Sequence, residues 1–336
     1  MFDSYIGTTR GIHRLSDGVL EPLGLESERI MALHAWTAEG TTVVLAGSYG
    51  NGLYRSADGG RTWSRVEAGL TAAAFRFLGP DPGHPGGLLA GTEPARLFRS
   101  ADGGQSWVEL EAIGRLPGHD RWFLPYSPRG GALRNVYSPP GRSDRLFASL
   151  EVGGLLKSVD DGVSWVCEPV IADEDIHHVT GHPDDGDSLY VSLGTAGLTQ
   201  PGPGEHPPRL GGIARSRDGG QSWEKVETDY TRATIVPPSR PELLLAGPAP
   251  RVGRGGRIVV SADGGDSWSP AGSGIDVPMP DMVELFVAAP DDSIWAICSQ
   301  GRLLRARAGD WIWRSALPGG RALEVKSVAF VPRDST

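Results

Sequence analysis

The sequence predicts an all-β fold, a seven-bladed β-propeller of four-stranded antiparallel blades, and three observations carry that prediction. An eight-residue pattern, Ser-x-Asp-x-Gly-x-x-Trp, occurs five times along 336 residues. Apolar strands with Pro at their far end recur in a second, independent register. The composition, with 48 Gly, 27 Pro and 10 Trp, suits short strands joined by tight turns and anchored by large aromatics.

The five copies of the pattern are Ser56 to Trp63, Ser100 to Trp107, Ser158 to Trp165, Ser216 to Trp223 and Ser261 to Trp268. Their aspartates, Asp58, Asp102, Asp160, Asp218 and Asp263, stand 44, 58, 58 and 45 residues apart, a blade period with insertions. Each copy lies between two alternating segments, as between Leu53-Tyr54-Arg55 and Ser64-Arg65-Val66, which places it on a hairpin turn. Ser and Asp side chains bond nearby backbone N–H groups, Gly adopts positive φ without steric cost, and Trp packs back across the hairpin. These residues are therefore expected to build the turn and to take no part in chemistry.

Two worn copies extend the series. Arg305 to Trp313 keeps Gly and the final Trp but lacks the motif Asp, and Ile12 to Gly18 keeps Asp-Gly. The Pro-ended strands are Phe75 to Pro82, Leu133 to Pro140, Ile176 to Pro183, Thr231 to Pro238, Val283 to Pro290 and Val325 to Pro332. The last follows every motif and has no hairpin of its own, while the chain starts at Tyr5-Ile6-Gly7 with a segment equivalent to Leu45-Ala46-Gly47. Pairing the two ends in one composite blade gives seven blades in a single domain over residues 1–336 and removes two sheet edges. A six- or eight-bladed ring is the alternative count.

The motif resembles the Asp-box, or bacterial neuraminidase, repeat of a β-propeller superfamily that includes sialidases, xyloglucanases, sortilin-type receptors and photosystem II assembly factors. The resemblance covers nearly the whole chain. In those families the box lies on the face opposite the ligand site, so the resemblance implies fold and leaves function open.

On the opposite face, the residue six positions before each aligned Pro is Arg76, Arg134, His177, Arg232, Glu284 or Lys326, with Met31 by alignment in the first full blade. One register thus aims cations at a central funnel, a pattern suited to gripping carboxylate or phosphate. Loops reaching the same face add Tyr49, Glu93, Glu151 and Tyr230. The competing expectation is that these charges pair with Glu93, Glu151 and Glu284 and line a water-filled channel.

His177, His178 and His182 invite a metal, but successive strand residues face opposite sides, so His177 and His178 are not expected to point inward together. No metal or other cofactor is expected. The Pro-rich insert from Gly194 to Gly212 reads as a loop over the funnel mouth, and Arg251 to Arg257 as a second, basic one.

The formal net charge of −9 argues against a sequence-independent nucleic-acid binder. No stretch approaches the ~18 apolar residues of a membrane span, and the first residues do not read as a leader, which leads to a cytoplasmic expectation with no membrane partner. Cys167 and Cys298 form no metal or disulfide spacing. Nothing resembles a dedicated dimerisation element, so a monomer is expected.

Three arginines on one face also resemble the sialidase arginine triad, and Arg29-Ile30-Met31-Ala32-Leu33 is similar to that family's Arg-Ile-Pro strand, with Met31 in place of Pro. The family's acid/base Asp has no counterpart, because Thr41 to Arg55 contains no carboxylate, and sialidase rings have six blades. Three functions stay open. An enzyme acting on an anionic small molecule or carbohydrate would use Arg76, Arg134 and Arg232 as a clamp, Glu284 or Glu151 as acid/base and Tyr230 or Tyr49 as nucleophile. A non-catalytic binding protein would use the same funnel with His177, Lys326 and Glu93. A scaffold or assembly factor would hold a protein partner on its rim loops.

Overall fold

In the computed structural model, which describes residues 1–122, 130–171, 175–194 and 211–333, seven four-stranded antiparallel sheets succeed one another along the chain. Their first strands are Ile30–Ala38 in blade 1, Ala74–Pro80 in blade 2, Ala132–Tyr137 in blade 3, Ile176–His182 in blade 4, Tyr230–Ile235 in blade 5 and Val283–Ala288 in blade 6. Blade 7 is the predicted composite. Val325–Pro332 pairs antiparallel with Phe2–Thr8, placing Ile6 opposite Val328, and Gly11–Ser16 and Val19–Pro22 complete the sheet.

The core lies between adjacent blades. Trp295, Phe330, Ile6 and Val328 join blade 6 to blade 7, and Trp313, Phe286, Ala271 and Ile294 join blade 5 to blade 6. Burial of each large apolar side chain contributes about 1.5–3 kcal/mol, so a ring of such seams is held by many equivalent terms.

The motif turns are built as the sequence indicates. Ser56 Oγ accepts from the Gly60 N–H at 2.8 Å and donates to Asp58 at 2.7 Å, while Asp58 accepts from the Thr62 N–H at 2.9 Å and its hydroxyl at 2.7 Å. Equivalent networks recur at Ser100, Ser158, Ser216 and Ser261. The Thr62 backbone and hydroxyl hold the Asp58 carboxyl down at about 2, and Ser222 does the same for Asp218.

Each turn also joins two blades, which the hairpin reading did not contain. Gly60 has φ 92° and an added Cβ would lie 2.6 Å from Leu23 of blade 7, so glycine is needed for conformation and for close approach. The Trp63 indole N–H donates to the Leu23 carbonyl at 2.7 Å, and Trp268 and Trp313 likewise reach Val226 and Ala271 of the preceding blade, rather than packing only across their own hairpins. In the other direction, the cation just before a motif Ser latches onto the next blade's turn. Arg55 donates to Gly103 O at 2.9 Å, Arg99 to Asp161 O at 3.2 Å, Lys157 to Gly220 O at 2.7 Å and Arg215 to Gly264 O at 2.7 Å.

The Pro-rich insert expected over the funnel mouth falls on residues 195–210, which lie outside the described residues. The basic loop is described, and its Arg257 pairs with Asp229 at 2.5 Å and Glu227 at 3.2 Å.

Candidate functional site

Every first strand breaks register with its neighbour at the residue counted back from the aligned Pro. The pairing skips Met31 between Ile30 and Ala32, Arg76 between Phe75 and Phe77, Arg134 between Leu133 and Asn135, and His177 between Ile176 and His178. It skips Arg232 with Ala233, then Glu284, and in the composite blade Lys326. A bulge inserts one unpaired residue and re-aims its side chain, so seven bulges turn seven different side chains toward one point.

The result is a cavity of 580 Å³ whose charged and aromatic lining includes Arg29, Tyr49, Arg76, Arg134, Arg232 and Lys326, with Met31, His177 and Glu284 between them. His177 and His178 both line it, which corrects the alternation argument: the bulge at His177 suspends the strict two-residue period. Of the residues named from sequence, Glu93, Glu151 and Tyr230 sit just behind the wall, buried.

Charges around most of the ring alternate and pair. Glu93 lies 3.5 Å from Arg76, Glu151 lies 3.4 Å from Arg76 and 2.7 Å from Arg134, and Glu284 takes both its oxygens to Arg232 at 2.7 and 3.0 Å. Tyr49 donates to Glu93 at 2.8 Å, and the guanidinium groups of Arg29 and Arg76 lie 5.3 and 5.5 Å from its ring centre. Tyr230 accepts from Arg232 Nε at 2.6 Å, contacts His177 Nε2 at 3.1 Å, and carries the Arg232 guanidinium 5.5 Å from its ring centre. The three predicted clamp arginines are thus already bonded to the carboxylates proposed as their catalytic partners.

These contacts fix protonation. Burial raises the Glu151 carboxyl, but Arg134, His177 and Arg76 outweigh it and hold the group below the ordinary carboxylate range. Arg232 and Arg134 likewise outweigh burial at Glu284. Burial pushes the Tyr230 phenol up.

Between blades 7 and 1 the alternation stops. Among the described residues, neither Arg29 nor Lys326 has a carboxylate within ion-pair distance, although both line the cavity. Burial, followed by the charge of Arg29, lowers the Lys326 ammonium from its ordinary value. In the sequence, Arg29 stands out only for its place in an Arg-Ile strand. Its role as a funnel cation was hidden because it precedes the bulge register by two positions.

Ligand atoms of Glu151, Asp175 and His177 lie within 4.8 Å of one another. Arg76 and Arg134 already bond Glu151, and Tyr230 bonds His177, so a metal ion there would displace or face guanidinium groups.

Comparison with known protein families gives no match, and no curated protein sequence matches the chain. Solved structures do. The GH74 xyloglucanase from Xanthomonas campestris is similar at a TM-score of 0.68 and 19% identity, covering 98% of this chain and 52% of that one, so this chain spans about half the length of the xyloglucanase. YCF48 bound to D1 peptide is similar at a TM-score of 0.60 and 17% identity over 90% of this chain and 89% of that one. Sqt1 from Chaetomium thermophilum, bound to the N-terminus of the ribosomal protein L10, follows at 0.57 and 14% over 95% and 84%. The class defined is the seven-bladed β-propeller. At these identities the likeness is one of fold, and it includes both glycoside hydrolases and propellers solved with peptide partners.

Proposed function

We propose that this Asp-box propeller is a non-hydrolytic binding protein whose funnel seats an anionic group of a partner molecule between Arg29 and Lys326. The observation that carries the reading is the interrupted alternation: among the described residues, every other charged residue of the funnel wall has an opposite charge bonded to it, and these two cations do not. An incoming carboxylate or phosphate would complete the ring, relieving the desolvation that Lys326 bears.

Hydrolysis is the weaker reading for two reasons. A leaving-group acid must carry a proton near neutral pH, and Glu151 and Glu284 are both held ionised by arginine. Carbohydrate recognition wants an exposed aromatic face, whereas arginines cover Tyr49 from two positions and Tyr230 from one. The likeness to YCF48 and Sqt1, each solved with a peptide, supports a macromolecular carrier for the anion.

Titration calorimetry with citrate, inorganic phosphate, an acidic peptide and a neutral xyloglucan oligosaccharide tests the reading. It predicts saturable binding of at least one anion, weakened tenfold or more in the Arg29→Ala, Lys326→Ala double variant. Binding of the neutral oligosaccharide with release of shorter products would overturn it.

A further inference from the structure

The seven joints between blades are not alike. Six motif-position tryptophans (Trp63, Trp107, Trp165, Trp223, Trp268 and Trp313) follow turns at the starts of outer strands. In the composite blade only Asp17 and Gly18, with φ of 48° and 78°, close the hairpin between Gly11–Ser16 and Val19–Pro22, and no Trp follows. Where a full turn would lie against blade 6 there is a cleft of 760 Å³, lined by Phe2, Leu15, Trp295, Arg305, Ala316 and Leu317 among others.

Blade 6 nevertheless presents both halves of the joint. Arg305 pairs across its hairpin with Arg314 as Arg55 pairs with Ser64, Arg99 with Val108 and Arg215 with Glu224, so it occupies the latch position. Unlike those cations it is exposed and, among the described residues, bonded to no acceptor. Ala316 follows Trp313 by the same interval at which Val226 follows Trp223 and Ala271 follows Trp268. Those two carbonyls accept the indole N–H of the next blade's tryptophan at 2.9 and 2.7 Å. A donor for a turn carbonyl and an acceptor position for an indole therefore line one cleft, beside the apolar side chains of Phe2, Leu15, Trp295 and Leu317. Of the cleft's other charged side chains, Asp17 and Arg333 are paired with each other and Asp291 accepts from the Ser293 N–H and hydroxyl.

We propose that this cleft is a docking site for a tryptophan-bearing turn of the Ser-x-Asp-x-Gly-x-x-Trp type, supplied by a partner polypeptide. The indole enters between Leu15 and Leu317 toward the Ala316 carbonyl, and the turn's backbone carbonyl meets Arg305. The turn's Asp carries no unmet charge into the cleft, because its own Ser and Thr or Ser hydroxyls hold it, as they do at Asp58 and Asp218. The recognition is the chain's own inter-blade chemistry offered to a second chain, in the manner of strand addition at a sheet edge. It is independent of the anion seat, which lies on the other face.

The probe is a cyclised synthetic hairpin of the sequence from Leu53 to Val66, shown by its own NMR spectrum to form the turn, added to the isotope-labelled full chain. Saturable shifts are expected at the Trp295 indole, the Arg305 Nε and the amides of Ala316 and Leu317. Replacing the hairpin's Trp by Ala, or Arg305→Ala in the chain, is expected to weaken binding at least tenfold. Arg305→Ala is expected to leave the melting temperature unchanged, and a clear drop would mean that Arg305 already holds a structural partner and would overturn the proposal. So would shifts confined to the funnel, binding indifferent to the hairpin's Trp, or free indole matching the hairpin. Cleft shifts that grow with protein concentration alone would assign the cleft to a second copy of the chain and overturn it too.

Discussion

The two faces of the ring use charge in opposite ways. On the motif face, the Asp at the third motif position is satisfied within its own turn, and the same bonds recur from blade to blade: Asp58 with Ser56 and Thr62, Asp218 with Ser216 and Ser222. On the funnel face, the pairs join residues far apart in sequence, both within a blade, as Arg76 with Glu93 and Arg134 with Glu151, and between neighbouring blades, as Arg76 with Glu151 and Arg232 with Glu284. Local, repeated satisfaction builds a scaffold. Non-local, unrepeated satisfaction leaves a remainder, and that remainder is Arg29 with Lys326.

The comparison breaks most visibly at Glu151. Glu151→Gln leaves the Arg134 guanidinium without its carboxylate and Arg76 with Glu93 alone, and is expected to cost about 3–5 kcal/mol by denaturant unfolding. It also changes the acid limb of the stability curve. The folded carboxyl lies below its ordinary value of 4.5, so its contribution is full above that pH and is lost as pH falls toward the folded value. The Gln variant should therefore show a shallower loss of stability below pH 4.5, and an unchanged slope would contradict the assignment.

Next in size are the turns. Gly104→Ala meets a φ of 80° and a contact of 2.8 Å with Leu45, and is expected to cost about 1–3 kcal/mol while anion binding at the funnel survives. Arg55→Ala removes one inter-blade latch and should cost about 1–2 kcal/mol. Smallest in stability are Arg29→Ala and Lys326→Ala, expected within about 0.5 kcal/mol of the parent since they break no ion pair among the described residues. A large loss at either would mean that the cation is structural and would erase the contrast between the faces.

Much of this was legible in the sequence, and the division follows the same line. The blade count came from motifs that repeat, and the composite blade from Val325 to Pro332 having no hairpin left to join, which its pairing with Phe2–Thr8 bears out. The funnel register was legible because the aligned Pro stands at a constant distance from each bulged residue. What the register could not carry was partnership: Glu151 follows Arg134 in its own blade, but its contact with Arg76 depends on how adjacent blades pack. His178 was misjudged because strand alternation fails at a bulge. The latch cations Arg55, Arg99, Lys157 and Arg215 did carry a signal, a basic residue before four of the five motif serines, but its meaning appears only when the next blade's turn is brought alongside.

The most direct test is the titration of the Lys326 ε-amine, followed by NMR with and without a saturating anion such as citrate. A half-buried cation beside Arg29 and without a carboxylate partner should titrate below the ordinary lysine value in the free protein and rise when an anion is seated. An ordinary value that saturating anion leaves unmoved would contradict the account.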